Sequence, residues 1–229
     1  MKNIIQVLLV LLFLVLVLFG KANAQKTITP EDFDQVYVTG NIEVLLEYGA
    51  ENKVDLYVDG MPYDKVSVKV QRGVLRLRTL ESWLYRDEVI RVYITFKELR
   101  GIQANAGAIV SCDDRIETDQ FEARASSGAQ VRLSVYANSI EGGASEGGIL
   151  TLEGRTDKQD MQISTGAQYD GLEMDAKNTY IRANTGGQAE VVALELIEAS
   201  ANTGGSITYK GDPQTKHIKT VIAGEVTAY

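Results

Sequence analysis

From residue 100 to the end of the chain, apolar and polar positions alternate in short runs, each broken by a small polar residue, a Gly, then Gly or Ala. The breaks read "NAGAIV" (105–110), "SSGAQV" (126–131), "SEGGIL" (145–150), "STGAQY" (164–169), "NTGGQA" (184–189) and "NTGGSI" (202–207). Their first glycines are Gly107, Gly128, Gly147, Gly166, Gly186 and Gly204, at intervals of 21, 19, 19, 20 and 18 residues. "IAGEV" (222–226) continues the column with Ala223, 19 residues further on. A phosphate-cradling loop would occur once, ahead of a helix. A near-constant period of this length is the mark of a stacked repeat.

The flanks say which repeat. Five and three residues before the column position, and three and five after it, the residues are mostly apolar: Ile102, Ala104, Val110 and Cys112 in the first unit, Ala123, Ala125, Val131 and Leu133 in the second. The positions between them are Gln, Arg, Ser, Thr, Asn, Asp and Glu. Period two on both sides of a turn predicts strand, Gly turn, strand, then a looser turn. Stacked copies make a single-stranded parallel β-helix, or flattened β-solenoid, with coils of about 18–21 residues, an all-β fold. An Ala column three before the turn suits a sharp corner, where only a small inward side chain fits. Gly suits the positive φ that such corners use. The first Gly is expected to carry that φ, so that replacing Gly186 by Val costs far more than replacing Gly187 by Ala. At Ala223, either the turn has negative φ or Gly224 takes over by a one-residue shift.

Residues 34–100 keep the alternation without the column: "VYVTGNIEVLLEYG", "KVDLYVDG", "VSVKVQRGVLRLRTL" and "VIRVYITF" read as earlier, less regular coils. "AEVVALELIEA" (189–199) favours helix by propensity, but a helix there would interrupt the stack, so strand is expected. Upstream, Lys2, an apolar run over 4–19 and "KANA" read as a secretory signal peptide cut before Gln25. This leaves one domain, 25–229, exported to the periplasm, the cell surface or the medium.

Removing Lys2 and Lys21 leaves 21 basic against 31 acidic residues, a formal charge of −10. That argues against a nucleic-acid partner and against docking on anionic lipid. No later stretch is apolar enough to span a bilayer. Cys112 is alone, so no internal disulfide exists despite export.

The ordered set "VYVTGNIEVLLEYG" (with Gly40, Asn41 and Ile42), "RGVLRLRT", "VYITFKELRGIQANAGA" and "ELIEASANTGGSITYKGDP" (closing on Gly211 and Pro213) resembles the head GIN domain family, adhesin-like exported proteins of Bacteroidetes-type bacteria. The resemblance spans roughly residues 33–226. It implies a pectate-lyase-like β-helix without recognised catalytic residues.

Candidate chemistry is sparse. Many β-helices cleave polysaccharides, which needs convergent acid and base groups in a groove. Asp113 with Asp114, Asp157 with Asp160, and Arg124 with Arg182 are the candidates, against the reading that they are solvated turn and surface residues. His217 has no Cys or His neighbour for a zinc site; it reads as a loop or final-turn residue. Cys112 sits in an inward column, as a buried thiol rather than a nucleophile. No cofactor or metal is implied. Asn105, Ser126, Ser145, Ser164, Asn184 and Asn202 form an outward column, either a polar binding strip or a ladder bonded to itself and the backbone. "LESWLYRDE" (80–88) breaks the pattern, with Trp83, Leu84 and Tyr85 together between two strands. Aromatics on an insertion read as a contact for an unknown protein or glycan partner at the cell envelope, or as a cover for an open side of the solenoid. The sequence therefore supports a non-catalytic interaction module. A carbohydrate-active enzyme is the alternative, and a structural part of an envelope assembly is a second one. A groove of convergent charges would favour the enzyme, and an exposed apolar end would favour the assembly.

Overall fold

The computed structural model describes residues 25–80 and 88–229. The chain runs β1 (Gln25–Ile28), β2 (Gln35–Thr39), β3 (Glu43–Tyr48), β4 (Lys53–Asp59), a 3-10 turn (Tyr63–Lys65), β5 (Val66–Gln71), β6 (Val74–Thr79), β7 (Val89–Phe96) and β8 (Gly101–Asn105). Then follow β9 (Ile109–Ser126), β10 (Gln130–Ser145), β11 (Ile149–Ser164), β12 (Gln168–Asn184), β13 (Gln188–Val192), β14 (Leu196–Asn202), β15 (Ser206–Lys210), β16 (Thr215–Val221) and β17 (Glu225–Ala228). All join one continuous sheet wound into a β-solenoid of about seven turns. The helix-prone stretch 189–199 is strand on both sides of a short break, as its place in the stack requires.

Each regular coil pairs in parallel with the next, with register shifts at Leu133/Ser134 and Thr151/Glu153. Val131 lies between Val110 and Leu150, and Ala144 between Ala125 and Ile163. The four inward columns are buried from Ile102 through Tyr209. They surface in the last coil, where Ile218 is 46% exposed.

The Gly corner is a type I′ turn, with positive φ at two successive residues. Thr185 has φ +49 and Gly186 +72; Thr203 has +50 and Gly204 +74. Every column glycine from Gly107 to Gly204 is at positive φ, as its recurrence implies. Ala223 departs from both expectations. It neither turns negative nor yields to Gly224: Ile222 and Ala223 themselves hold φ +46 and +57, and the Gly224 N–H closes the turn on Val221 O at 3.2 Å. The turns stack through their own backbone. The Gly107 N–H donates to Ser127 O, Gly128 to Glu146 O and Gly147 to Thr165 O, each at 3.1 Å. This is why the turn is copied, since one coil's corner completes the next.

The two glycine positions are constrained in different ways. A Cβ on Gly204 would meet open space, whereas one on Gly187 would approach Ile163 O at 2.6 Å. The first position needs an unusual φ; the second needs close backbone approach.

Residues 34–100 are coils, but not in simple succession. β2 lies between β6 and β8, and β3 between β7 and β9, all parallel. The β6/β7 layer is therefore outside the β2/β3 layer, although it comes later in the chain. Beyond it, β4 runs antiparallel to β7, β1 antiparallel to β4, and β5 antiparallel to β6. These antiparallel strands cap the N-terminal end, a departure from a purely parallel helix. Gly40 and Asn41 make the corner between β2 and β3; Gly40 has φ +105, and its N–H donates to Asn105 O at 3.2 Å. At the other end Gly211 (φ +115) and the buried Pro213 lead into β16.

Candidate partner-binding groove

β6 pairs with β2 and β7 with β3, the two strands that flank the Gly40–Asn41 corner. Trp83, Leu84 and Tyr85 themselves lie outside the described residues.

Beside the point where the chain enters β7 is a groove of about 410 Å³ lined by Tyr57, Val58, Asp59, Tyr63, Val89, Arg91 and Tyr93. The antiparallel register sets Tyr57 opposite Arg91 and Asp55 opposite Tyr93, so the two tyrosines are diagonal neighbours on one outward face. Their rings meet edge to face, with centroids 5.5 Å apart at 78°. Tyr63 reaches the same groove from the 3-10 turn. Arg91 Nε donates to Glu43 Oε2 at 2.7 Å, and Asp59 Oδ1 accepts from the Gly60 N–H at 3.0 Å. None of these tyrosines was singled out in the sequence, because each occupies an ordinary outward position of a strand or turn. Only the pairing of β4 with β7 brings Tyr57 and Tyr93 together.

A second groove, about 360 Å³, holds charges of both signs: Arg100, Arg124, Glu122 and Glu141, with Gln35 and Ser139. Its arginines are engaged by neighbours. Arg100 pairs with Asp34, and Arg124 Nε with Glu122 Oε1 at 2.5 Å. The other candidates are dispersed. Asp114 Oδ2 accepts the Tyr48 N–H at 2.8 Å, Lys177 Nζ meets Asp157 at 2.6 Å, and Arg182 lies 3.7 Å from Asp160. Gly143 and Gln162 separate Arg124 from Arg182 in their column, a distance of about 14 Å at the usual strand spacing. His217 is exposed on β16 in the last coil. Among the described residues, no group of three or more His, Cys, Asp or Glu is placed to hold a metal ion.

Cys112 is buried, with Sγ 3.4 Å from Asp114 O, and burial pushes its thiol up to about 12. The Asn/Ser column is half-buried at the first position of each turn. Successive turns are joined by backbone bonds and by Ser127 Oγ donating to Glu146 Oε2 at 2.6 Å, while Asn202 Oδ1 accepts from its own neighbour Thr203.

The fold is an all-β solenoid with open grooves on its surface. The family described as "Putative auto-transporter adhesin, head GIN domain" matches residues 32–213, and the chain belongs to it. No curated protein matches the chain. A solved structure titled a putative adhesin from Bacteroides fragilis NCTC 9343 aligns at TM-score 0.79 and 18% identity, covering 92% of this chain and 98% of that one. One titled a putative lipid binding protein from Parabacteroides distasonis ATCC 8503 aligns at 0.67 and 15%, with coverage of 92% and 98%. A putative adhesin from Parabacteroides merdae ATCC 43184 aligns at 0.66 and 17%, again over 92% and 98%. At these identities the likeness is one of fold. No helix among the described residues is long and apolar enough to cross a membrane.

Proposed function

We propose that the chain is an exported, non-catalytic recognition module that holds a protein or glycan partner at the cell envelope. The observation that carries this is a tyrosine-lined groove beside the start of β7, preceded in the sequence by an off-pattern insertion that carries the chain's only Trp. Repeat scaffolds place binding residues on such insertions, over a rigid stack. In this reading Trp83, Leu84 and Tyr85 are the partner contact, and residues 1–24 are the export signal. The mixed-charge groove fits catalysis less well, because its arginines are already paired with neighbouring carboxylates. A lipid-binding role fits less well too. The interior that would have to admit an acyl chain is filled by columns such as Leu133, Leu150 and Ile163, all fully buried.

The test is retention. Immobilised protein should hold a component of an envelope extract, and Trp83→Ala with Tyr85→Ala should release it while leaving the melting temperature within a few degrees. Retention unchanged by the double substitution would overturn the assignment of those residues.

A further inference from the structure

We infer that the groove of Tyr57, Tyr63 and Tyr93 is a subsite for an uncharged saccharide chain. This deepens the recognition reading and rests on it. The groove's volume of about 410 Å³ is in the range of small-ligand sites. Its walls combine the two things a sugar requires. Tyrosine rings present flat apolar surface to the C–H face of a pyranose while their hydroxyls both donate and accept. Asp59 adds an acceptor and Arg91 further donors at the same groove.

The edge-to-face contact of Tyr57 with Tyr93, on two paired strands, holds both rings in place before any ligand arrives. Pre-ordered aromatics lose little conformational freedom on binding. Tyr93 is 38% exposed and Val89 53%, so both present accessible surface to the groove.

Charge selects the class of saccharide. Among the described residues, the only cation lining the groove is Arg91, which is bound to Glu43, and Asp59 stands nearby. A formal charge of −10 over residues 25–229 adds a field that repels polyanions. An acyl chain is a poor occupant: Leu56, Val92 and Ile94, directly behind the groove, are sealed in the core. Strand addition by a peptide is restricted as well, because β4 is paired with β7 along its length and with β1 over residues 54–57.

Affinity electrophoresis tests the inference. The protein is run in native gels cast with dextran, mixed-linkage β-glucan or α-mannan, and with polygalacturonate as the anionic control. Retardation is expected in at least one neutral gel and not in polygalacturonate. Tyr93→Ala and the exposed-site variant Asp59→Ala should each weaken it by about tenfold or more, whereas Tyr93→Phe should keep most of it. If Tyr93→Ala does not fold, Asp59→Ala and Tyr63→Ala decide. The inference falls if no neutral gel retards the protein, if only polygalacturonate does, or if the variants run like the wild type. Envelope retention that survives those results, yet is lost in the Trp83→Ala, Tyr85→Ala variant, would leave the recognition reading standing without this subsite.

Discussion

Tyr169 Oη donates to Gln159 Oε1 at 2.8 Å in the sealed interior of the solenoid. Gln159 Nε2 in turn donates to Thr179 Oγ1 at 2.9 Å and to Val192 O at 3.1 Å, and Thr179 Oγ1 donates to Val192 O at 2.7 Å. Every member has a partner, so the network costs little as built and much if broken. Gln159→Leu should strand the Tyr169 hydroxyl and destabilise by about 1–3 kcal/mol. Tyr169→Phe combined with Gln159→Leu should cost clearly less than the sum of the singles, a coupling of about 0.5–3 kcal/mol. Denaturant titration of the four proteins measures it; additive effects would contradict the network.

The same column shows how far the sequence could be read. Phe121, Ile140, Gln159, Thr179, Ile197 and Lys216 stack position on position, seven before the turn residue. The columns nearest the Gly turn are uniformly small or apolar, and alternation exposes them at once. This one carries Gln and Thr inside, which alternation alone reads as outside. The coils from β8 onward were legible because one local turn is copied. The nesting of β2/β3 between later strands was not, because parallel and antiparallel strands show the same period of two. The Tyr57–Tyr93 pair was hidden for the same reason, since it depends on a register between strands 36 residues apart.

The turns give a second prediction. Gly186→Ala adds a Cβ whose nearest neighbour, Gly166 N, is 4.0 Å away, at φ +72, and should cost about 1–2 kcal/mol, the usual left-handed penalty. Gly187→Val drives its Cβ toward Ile163 O and should cost more. Ala223→Gly relieves a strained φ of +57 and should be neutral or stabilising by up to about 1 kcal/mol. Thermal melts that rank Gly186→Ala as the worst of the three would contradict the close-approach role of the second glycine.

Cys112 gives a pH dependence. Its thiol is held up to about 12 by burial, while an unfolded thiol ionises near about 8.5. The folded state therefore binds the proton more tightly. The stability this contributes is complete below about 8.5 and is lost as pH rises from there toward about 12. Cys112→Ala should flatten the fall in stability over that window relative to wild type. At pH 8 a thiol reagent should label Cys112 only on unfolding. Rapid labelling of the native protein would contradict its burial.

The last coil carries Lys216 in the column that holds Ile197 one coil earlier, and Lys216 Nζ pairs with Asp212 at 3.0 Å. A charge at an inward position of an edge strand guards an open sheet against pairing with another chain. Ile222, 71% exposed, and Ile218 make that end apolar enough to need the guard. Lys216→Ile should raise self-association, read as a concentration-dependent mass increase by light scattering. A strictly monomeric variant at high concentration would show that the lysine has no such role.

Recognition without turnover is the central claim, and a chain-length measurement tests it most directly. The protein is incubated at high concentration with dextran, mixed-linkage β-glucan, α-mannan and polygalacturonate, and their size distributions are followed with an assay for new reducing ends and unsaturated products. The account predicts unchanged chain length for every polysaccharide, including any that binds. Shortening of any of them, abolished by Glu122→Gln or Arg124→Ala, would place an active site in the mixed-charge groove and contradict it.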